Sequence, residues 1–263
     1  MRVTNILEEA VHNIKSQVSV EKLKNSAISF ISLNNGAGAK TILSNIAVQL
    51  NSKYRICLFD ANFYQPSLAS LFGEVVTKEK SILNYFNLGK ELQGCINEVK
   101  GQKNMWVVST SPVDSPIDMA SLDSTKVTGL AQFLKDNFDY LLIYMSYNPF
   151  AEWFLDVLPV VDKGYIIWDE HPENVIKTKT MLKFIHQTSN KATVVNNIII
   201  NKRTDIAYPY TVIDELQCYF ISELPFNIDI MKLASEGKIY MTTKRIDKNY
   251  ESGIKTIIEN LQK

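Results

Sequence analysis

Short apolar runs alternate with amphipathic segments along most of the chain. Ala27, Ile28, Phe30, Ile31 and Leu33 predict a buried strand, and Thr41–Asn51 (TILSNIAVQLN) predicts the helix that follows. Tyr54–Phe59 predicts a second strand that ends on Asp60, after which 61–68 is polar and Pro-broken enough to be a loop turning into a short helix. Further strands are predicted at 105–109, 139–145, 163–168, 193–200 and 218–221. Helices are predicted at 81–88, 125–137, 172–187, 228–236 and 250–262. Ahead of the first strand, Ile6, Ala10, Val11 and Ile14 predict a helix over 4–16, joined to the strand by 17–25. Short apolar strands alternating with amphipathic helices imply one α/β domain over 1–263, a doubly wound, mostly parallel sheet with helices on both faces.

The segment between the first strand and its helix carries the most chemistry. Asn34-Asn35-Gly36-Ala37-Gly38-Ala39-Lys40-Thr41 is a tight loop of small residues entering a helix. Such residues let backbone N–H groups converge on an anion, and the helix N-terminus adds the positive end of its dipole. Lys40 would then reach β/γ-phosphates and the Thr41 hydroxyl would ligate Mg²⁺. Against the pattern G-x-x-x-x-G-K-[ST], Asn34 stands at the first glycine and Ala39 at the last, so residue 39 must have negative φ. The residues alone leave open both a phosphate loop and a plain strand–turn–helix corner with a solvated lysine. Asp60, at the end of the next strand, suits either a metal-side role or a helix N-cap.

Composition narrows the classes. Hydrophobic residues make up 46% of the 263 and charged residues 21%, ordinary for a soluble globular chain with a sizeable core. Lys+Arg and Asp+Glu both number 28, so zero net charge argues against a large nucleic-acid footprint. Cys57, Cys95 and Cys218 are scattered, without metal spacing, and suit reduced thiols of a cytosolic protein. No signal peptide or membrane-spanning run is expected.

Together these segments resemble the deviant-Walker ATPases, the MinD/ParA group of P-loop NTPases, over nearly the whole chain. Asp60-Ala61-Asn62-Phe63-Tyr64-Gln65-Pro66-Ser67-Leu68, then Leu71-Phe72-Gly73, is similar to the D-A-D-x-R-x-P-S-L…L-F-G motif of bacterial tyrosine kinases of polysaccharide export. Glu9-x-x-His12-x-x-Lys15 resembles their E-x-x-R-x-x-R helix. Phe138–Ile143 resembles the strand that carries the Walker B acid, and Ile200-Asn201-Lys202 the adenine-side N-[KR] element. Leu224-Pro225-Phe226-Asn227 and Glu236-Gly237-Lys238 resemble the L-P-x-D…G-K-P segment. The resemblance implies a nucleotide site at Asn35, Gly36, Ala37, Gly38, Ala39, Lys40, Thr41 and Ile42, with Asn201 and Lys202 on the base side. It further implies ATP and Mg²⁺ as ligands, with Thr41 and Asp60 toward the metal. A strand-end turn explains Asn201 equally well.

Departures from the family fall on the reactive positions. The lysine that crosses a dimer to the partner's phosphates falls on Asn35, the acid that positions water on Asn62, and the Walker B acid on Tyr144. An amide takes up no proton as a carboxylate does, and a neutral phenol is no carboxylate ligand. The binding parts are retained while the catalytic electrostatics are stripped. The resemblance therefore implies a pseudo-ATPase or slow ATPase with no catalytic residues. Its role would be positioning or scaffolding in a bacterial envelope machine, of the pilus-positioning CpaE/TadZ type.

A homodimer is implied, together with protein partners of that machine. So is a cytoplasmic location, at the inner face of the membrane or the pole only through partners. Alternatives are a tyrosine-kinase-like protein or regulator, with Tyr240 and Tyr250 standing alone near the C-terminus, and a DNA-partition ATPase. A nitrogenase-iron-protein-like reductase is excluded by the lack of paired cluster cysteines. The isolated His12, His171 and His186 are not expected as ligands, and Trp106, Trp153 and Trp168 suit core or interface. Tyr147–Phe154, with four aromatics, suits either core packing or a partner surface. The last helix places Ile254, Ile257, Ile258 and Leu261 on one face and is expected to dock on the sheet in preference to a membrane.

Overall fold

The computed structural model describes residues 25–89, 91–119, 124–148, 152–189, 191–204 and 210–263. The helix expected at 4–16, its connector up to 24, the Glu9/His12/Lys15 motif and residues 149–151 lie outside the described residues.

In chain order the elements are β1 (Ser26–Ser32), α1 (Ala39–Leu50), β2 (Ile56–Asp60), α2 (Leu83–Leu88), β3 (Asn97–Glu98), β4 (Met105–Val108), α3 (Pro116–Met119), α4 (Ser124–Asn137) and β5 (Tyr140–Ser146). They continue with α5 (Glu152–Val157), β6 (Lys163–Trp168), α6 (Glu173–Thr188), β7 (Asn197–Arg203), α7 (Thr211–Glu215), β8 (Tyr219–Pro225), α8 (Ile228–Ser235) and α9 (Lys248–Leu261). Among the described residues, eight strands form one sheet in the order β3-β4-β2-β5-β1-β6-β7-β8. All neighbouring pairs are parallel except β3–β4 at one edge. The expected doubly wound sheet is the observed one.

β1 lies between β5 and β6, and the chain leaves it toward β2 on one side before returning through β5 and crossing to β6. This reversal opens a crevice beyond the carboxyl end of β1, where the small-residue loop sits. β1 is apolar on both faces because each face meets a core. Ala27, Ile31 and Leu33 join side chains of α4, α5 and α6, and Ile28 and Phe30 join those of α1 and α9.

Some boundaries differ from the sequence reading. β7 begins at Asn197, not Thr193. Val194 closes a turn onto Lys191, and Val195 is buried against the core, so their apolarity reflects packing and not strand pairing. β8 runs past Ile221 to Pro225, where the Ser222 hydroxyl is taken up by the Gly253 carbonyl of α9 at 3.1 Å. The described aromatics of Tyr147–Phe154 pack inward. Trp153 lies 5.7 Å from Phe63 and 4.8 Å from Tyr64, and Tyr147 lies 5.5 Å from Phe154 (ring centroids).

α9 docks on the sheet as expected. Asp247 caps it by accepting from Tyr250 N at 2.9 Å, and Tyr250, Ile254, Ile257 and Leu261 are buried. Gly253 permits the close approach, since a Cβ there would stand 2.5 Å from Leu224 Cδ2. Four buried side chains at about 1.5–3 kcal/mol each contribute on the order of 6–12 kcal/mol, comparable with the stability of a whole domain. That face is committed to the core. Among the described residues no helix is long and apolar enough to cross a membrane.

Candidate functional site

The loop after β1 takes its shape from two glycines. Gly36 (φ 84°) and Gly38 (φ 95°) both occupy the left-handed region, and Gly38 is the residue from which α1 departs. Ala39 begins the helix with ordinary negative φ, and its methyl is buried, so the loop accepts alanine there without backbone strain. The first helical turn leaves the N–H groups of Ala39, Lys40 and Thr41 without intrahelical acceptors, and no acidic residue lies in that turn. An anion is the natural complement of this helix end.

Asn201, expected either on the base side or in a strand-end turn, acts as a buttress. Its Nδ2 donates to the Ala37 carbonyl at 2.7 Å, and a Cβ on Gly38 would stand 2.1 Å from that nitrogen. Lys202 (φ 57°) reaches back to donate to the Gly36 carbonyl at 2.6 Å. The carboxyl end of β7 therefore holds the loop from behind. From the β6–α6 side, the Asn34 amide donates to Asn174 at 2.8 Å and accepts from Lys177.

Two adjoining cavities share Gly36, Gly38 and Thr41. The larger, about 440 Å³, is lined by Asn35, Lys40, Asn62, Ser67 and Tyr144 among others. The smaller, about 290 Å³, is more apolar, with Phe226, Ile230, Met231 and Ala234 beside Asn201 and Lys202. A polar compartment at the helix N-terminus joined to an apolar one matches the two ends of a nucleotide. Ser67 and Phe226 were not singled out from the sequence, although both lie in the quoted P-S-L and L-P-x-D stretches.

Lys40 donates to the Ser67 hydroxyl, and its ammonium stands 5.4 Å from the centre of the Tyr144 ring. Burial lowers its pKa, offset in part by the Asp60 carboxylate. Asp60 is fully buried. One oxygen accepts from Asn62 N at 3.2 Å, the other from Ser67 N and Leu68 N, both at 2.8 Å. Burial pushes the Asp60 carboxyl up, while these three N–H groups and Lys40 pull it back. The carboxylate thus ties loop 61–68 to the end of β2 and does not line either cavity.

Tyr144, opposite Asp60 in the β2–β5 register, is pushed up to about 12 by burial and then by the Asp60 charge. Ser146, Asn62 and Ser32 around its hydroxyl oppose that shift. It is a neutral phenol at physiological pH. The cradle fits a nucleotide polyphosphate; the metal side fits less well. Thr41 offers a hydroxyl to the cavity, but among the described residues no group of three or more His, Cys, Asp or Glu converges to hold a cation.

Segments that continue from the walls of the two cavities also meet each other. Gly73 (φ 70°) closes the 3₁₀ turn Ala69–Phe72, and Gly237 (φ 66°) follows α8. A Cβ on Gly237 would stand 2.6 Å from Gly73 Cα. Nearby, the buried rings of Tyr240 and Tyr250 meet edge-on at 5.4 Å.

No protein-family model matches the sequence, nor does any curated protein. Solved structures do. The cell-division ATPase MinD of Pyrococcus furiosus superposes with a TM-score of 0.75 at 17% identity, over 90% of this chain and 99% of that one. MinD of Pyrococcus horikoshii, in complex with Mg-ADP, gives 0.74 at 15% identity, over 89% and 95%. A plasmid partition protein of Borrelia burgdorferi bound to AMPPNP gives 0.72 at 15% identity, over 90% and 98%. The order of strands, the loop after β1 and these superpositions agree: the chain has the fold of the MinD/ParA-type P-loop ATPases.

Proposed function

We propose that this chain binds ATP in the cleft beyond β1 and turns it over slowly or not at all. It would serve as a positioning or scaffolding component of a bacterial envelope machine, in the manner of CpaE/TadZ proteins. The observation that carries this is the contrast within one cavity. The cradle of Gly36, Gly38, Lys40 and Thr41 is formed, and the same cavity is lined by Asn35, Asn62 and Tyr144, the residues on which the family resemblance puts the reactive positions. Phosphoryl transfer depends on preorganised charge around the γ-phosphate, and a carboxamide and a neutral phenol supply little of it. In this reading the α1 N-terminus and Lys40 bind the phosphates, Thr41 faces any accompanying Mg²⁺, and the apolar cavity beside Asn201 takes the base. The chain acts as a homodimer that contacts protein partners. Asn35 cannot bridge to a partner's phosphates as a lysine would, so its dimerisation rests on other surfaces.

Calorimetric titration with ATP and Mg²⁺, run beside phosphate release, tests this directly. Binding that Lys40→Ala abolishes, with negligible turnover, is the expected result. Rapid turnover would overturn the pseudo-ATPase reading, and no binding with Mg²⁺ or without it would overturn the nucleotide reading.

DNA partition is the second reading, supported by the likeness to the Borrelia partition protein. It requires DNA binding that weakens steeply with salt. Tyrosine autophosphorylation is disfavoured by the burial of Tyr240 and Tyr250.

A further inference from the structure

We propose that the cleft takes its nucleotide as the metal-free polyphosphate, with Tyr144 standing where a cation-holding carboxylate would. The inference rests on the nucleotide reading above and concerns which form of the ligand this chain selects.

Magnesium demands near-octahedral oxygen coordination and is held in nucleotide sites by one or two carboxylates along with phosphates and water. The wall of the larger cavity offers oxygens of another kind. Ser32, Thr41, Ser67 and Tyr144 contribute neutral hydroxyls, and Asn62 and Gln65 contribute amides. Asp60 is the nearby carboxylate, but it is fully buried, with both oxygens occupied by backbone N–H groups, so it points at its own loop. Freeing it would strip acceptors from three amides at once, each costing about 1–3 kcal/mol if left unsatisfied.

The same wall is rich in donors. Lys40, the N–H groups of the first α1 turn, the hydroxyls and the side-chain amides of Asn35 and Asn62 line one volume. Donors suit bare phosphate oxygens, whose charge is then met by Lys40 and the helix end and needs no cation. Tyr144 lines that volume, the centre of its ring 5.4 Å from the Lys40 ammonium. Its hydroxyl, within reach of Ser32, Asn62 and Ser146, carries a proton it can share with an anion in that volume, which a carboxylate cannot do. A carboxylate at this position would repel the phosphates unless a cation stood between them; the phenol removes both the repulsion and the need for the cation.

The test is the ATP dissociation constant of the wild-type chain in EDTA and in saturating Mg²⁺, read by calorimetry or a fluorescent ATP analogue. The expected Kd in EDTA is equal to that in Mg²⁺ within about threefold, or lower. A Kd at least about tenfold weaker in EDTA overturns this inference while leaving nucleotide binding intact. Absence of binding in both media overturns the nucleotide reading and this inference with it. Tyr144→Asp, checked for folding by circular dichroism, is expected to weaken binding in EDTA by about tenfold or more and to recover it on adding Mg²⁺. A variant whose affinity is as indifferent to Mg²⁺ as the wild type's would also count against the proposal.

Discussion

The loop after β1 makes a quantitative demand on residue 38. A methyl group there meets two costs. The first is conformational, because φ of 95° lies where L side chains rarely go, at about 1–3 kcal/mol. The second is steric, because the new Cβ would lie 2.1 Å from Asn201 Nδ2, a distance no contact tolerates. Asn201 must withdraw and give up its bond to the Ala37 carbonyl, about 1 kcal/mol more. Gly38→Ala should therefore destabilise the chain by about 2–4 kcal/mol, a fall of about 4–16 °C in Tm for a domain of this size. Chemical denaturation supplies the free energy, and a double-mutant cycle with Asn201→Ala separates the two costs. Removing Asn201 first removes the clash, so Gly38→Ala in that background should cost about 1 kcal/mol less than in the wild type. Strict additivity would refute the buttress, and a loss of under about 0.5 kcal/mol for the single variant would refute the loop geometry itself.

Other consequences can be checked separately. Asp60→Ala leaves three backbone N–H groups without their acceptor, so a loss of at least about 3 kcal/mol is expected, with amide exchange accelerated first at Ser67 and Leu68; unchanged protection there would contradict the clamp. Tyr144 keeps its proton to about 12 in the folded chain against 10.0 for the ordinary phenol, so the folded state binds more protons in that window. Stability should accordingly fall as pH rises from about 10 to about 12, and Tyr144→Phe should remove on the order of 2–3 kcal/mol of that alkaline loss in urea titrations. A wild-type and variant with parallel pH profiles would count against the buried phenol. The Lys40 ammonium is held below its ordinary pKa, so phosphate affinity should decline on raising pH before the unperturbed lysine range is reached, and Lys40→Arg should abolish that early decline.

Much of this arrangement was legible in the chain. β1, the loop and α1 announce themselves because an apolar run, small residues and a 3.6-residue period follow one another without interruption. Tyr144 and Asn62 could be expected near the loop from the motif likeness of their segments, and both line the larger cavity. What the sequence hid depends on contacts across long separations. Asn201 touches Ala37 from 164 residues away, so no local pattern distinguishes a buttress from a turn asparagine. Asp60 looked suited to a metal, with a helix cap as the alternative. Its real partners, Ser67 N and Leu68 N, are reached only after the loop curls back over the strand end. The edge strand Asn97–Glu98 is two residues long and antiparallel, too short to show any period.

The meeting of Gly73 with Gly237 has a mechanical consequence. One belongs to the segment that carries Ser67, the other to the segment that carries the apolar wall of the smaller cavity, and their backbones touch with no side chain between to absorb a displacement. The two lobes of the cleft are thereby braced as a single jaw. A ligand gripping one lobe stiffens the other, so pyrophosphate alone should slow amide exchange in α8. A bulkier residue at position 237 would be strained at φ 66° and would push Gly73 away, breaking the brace between the lobes.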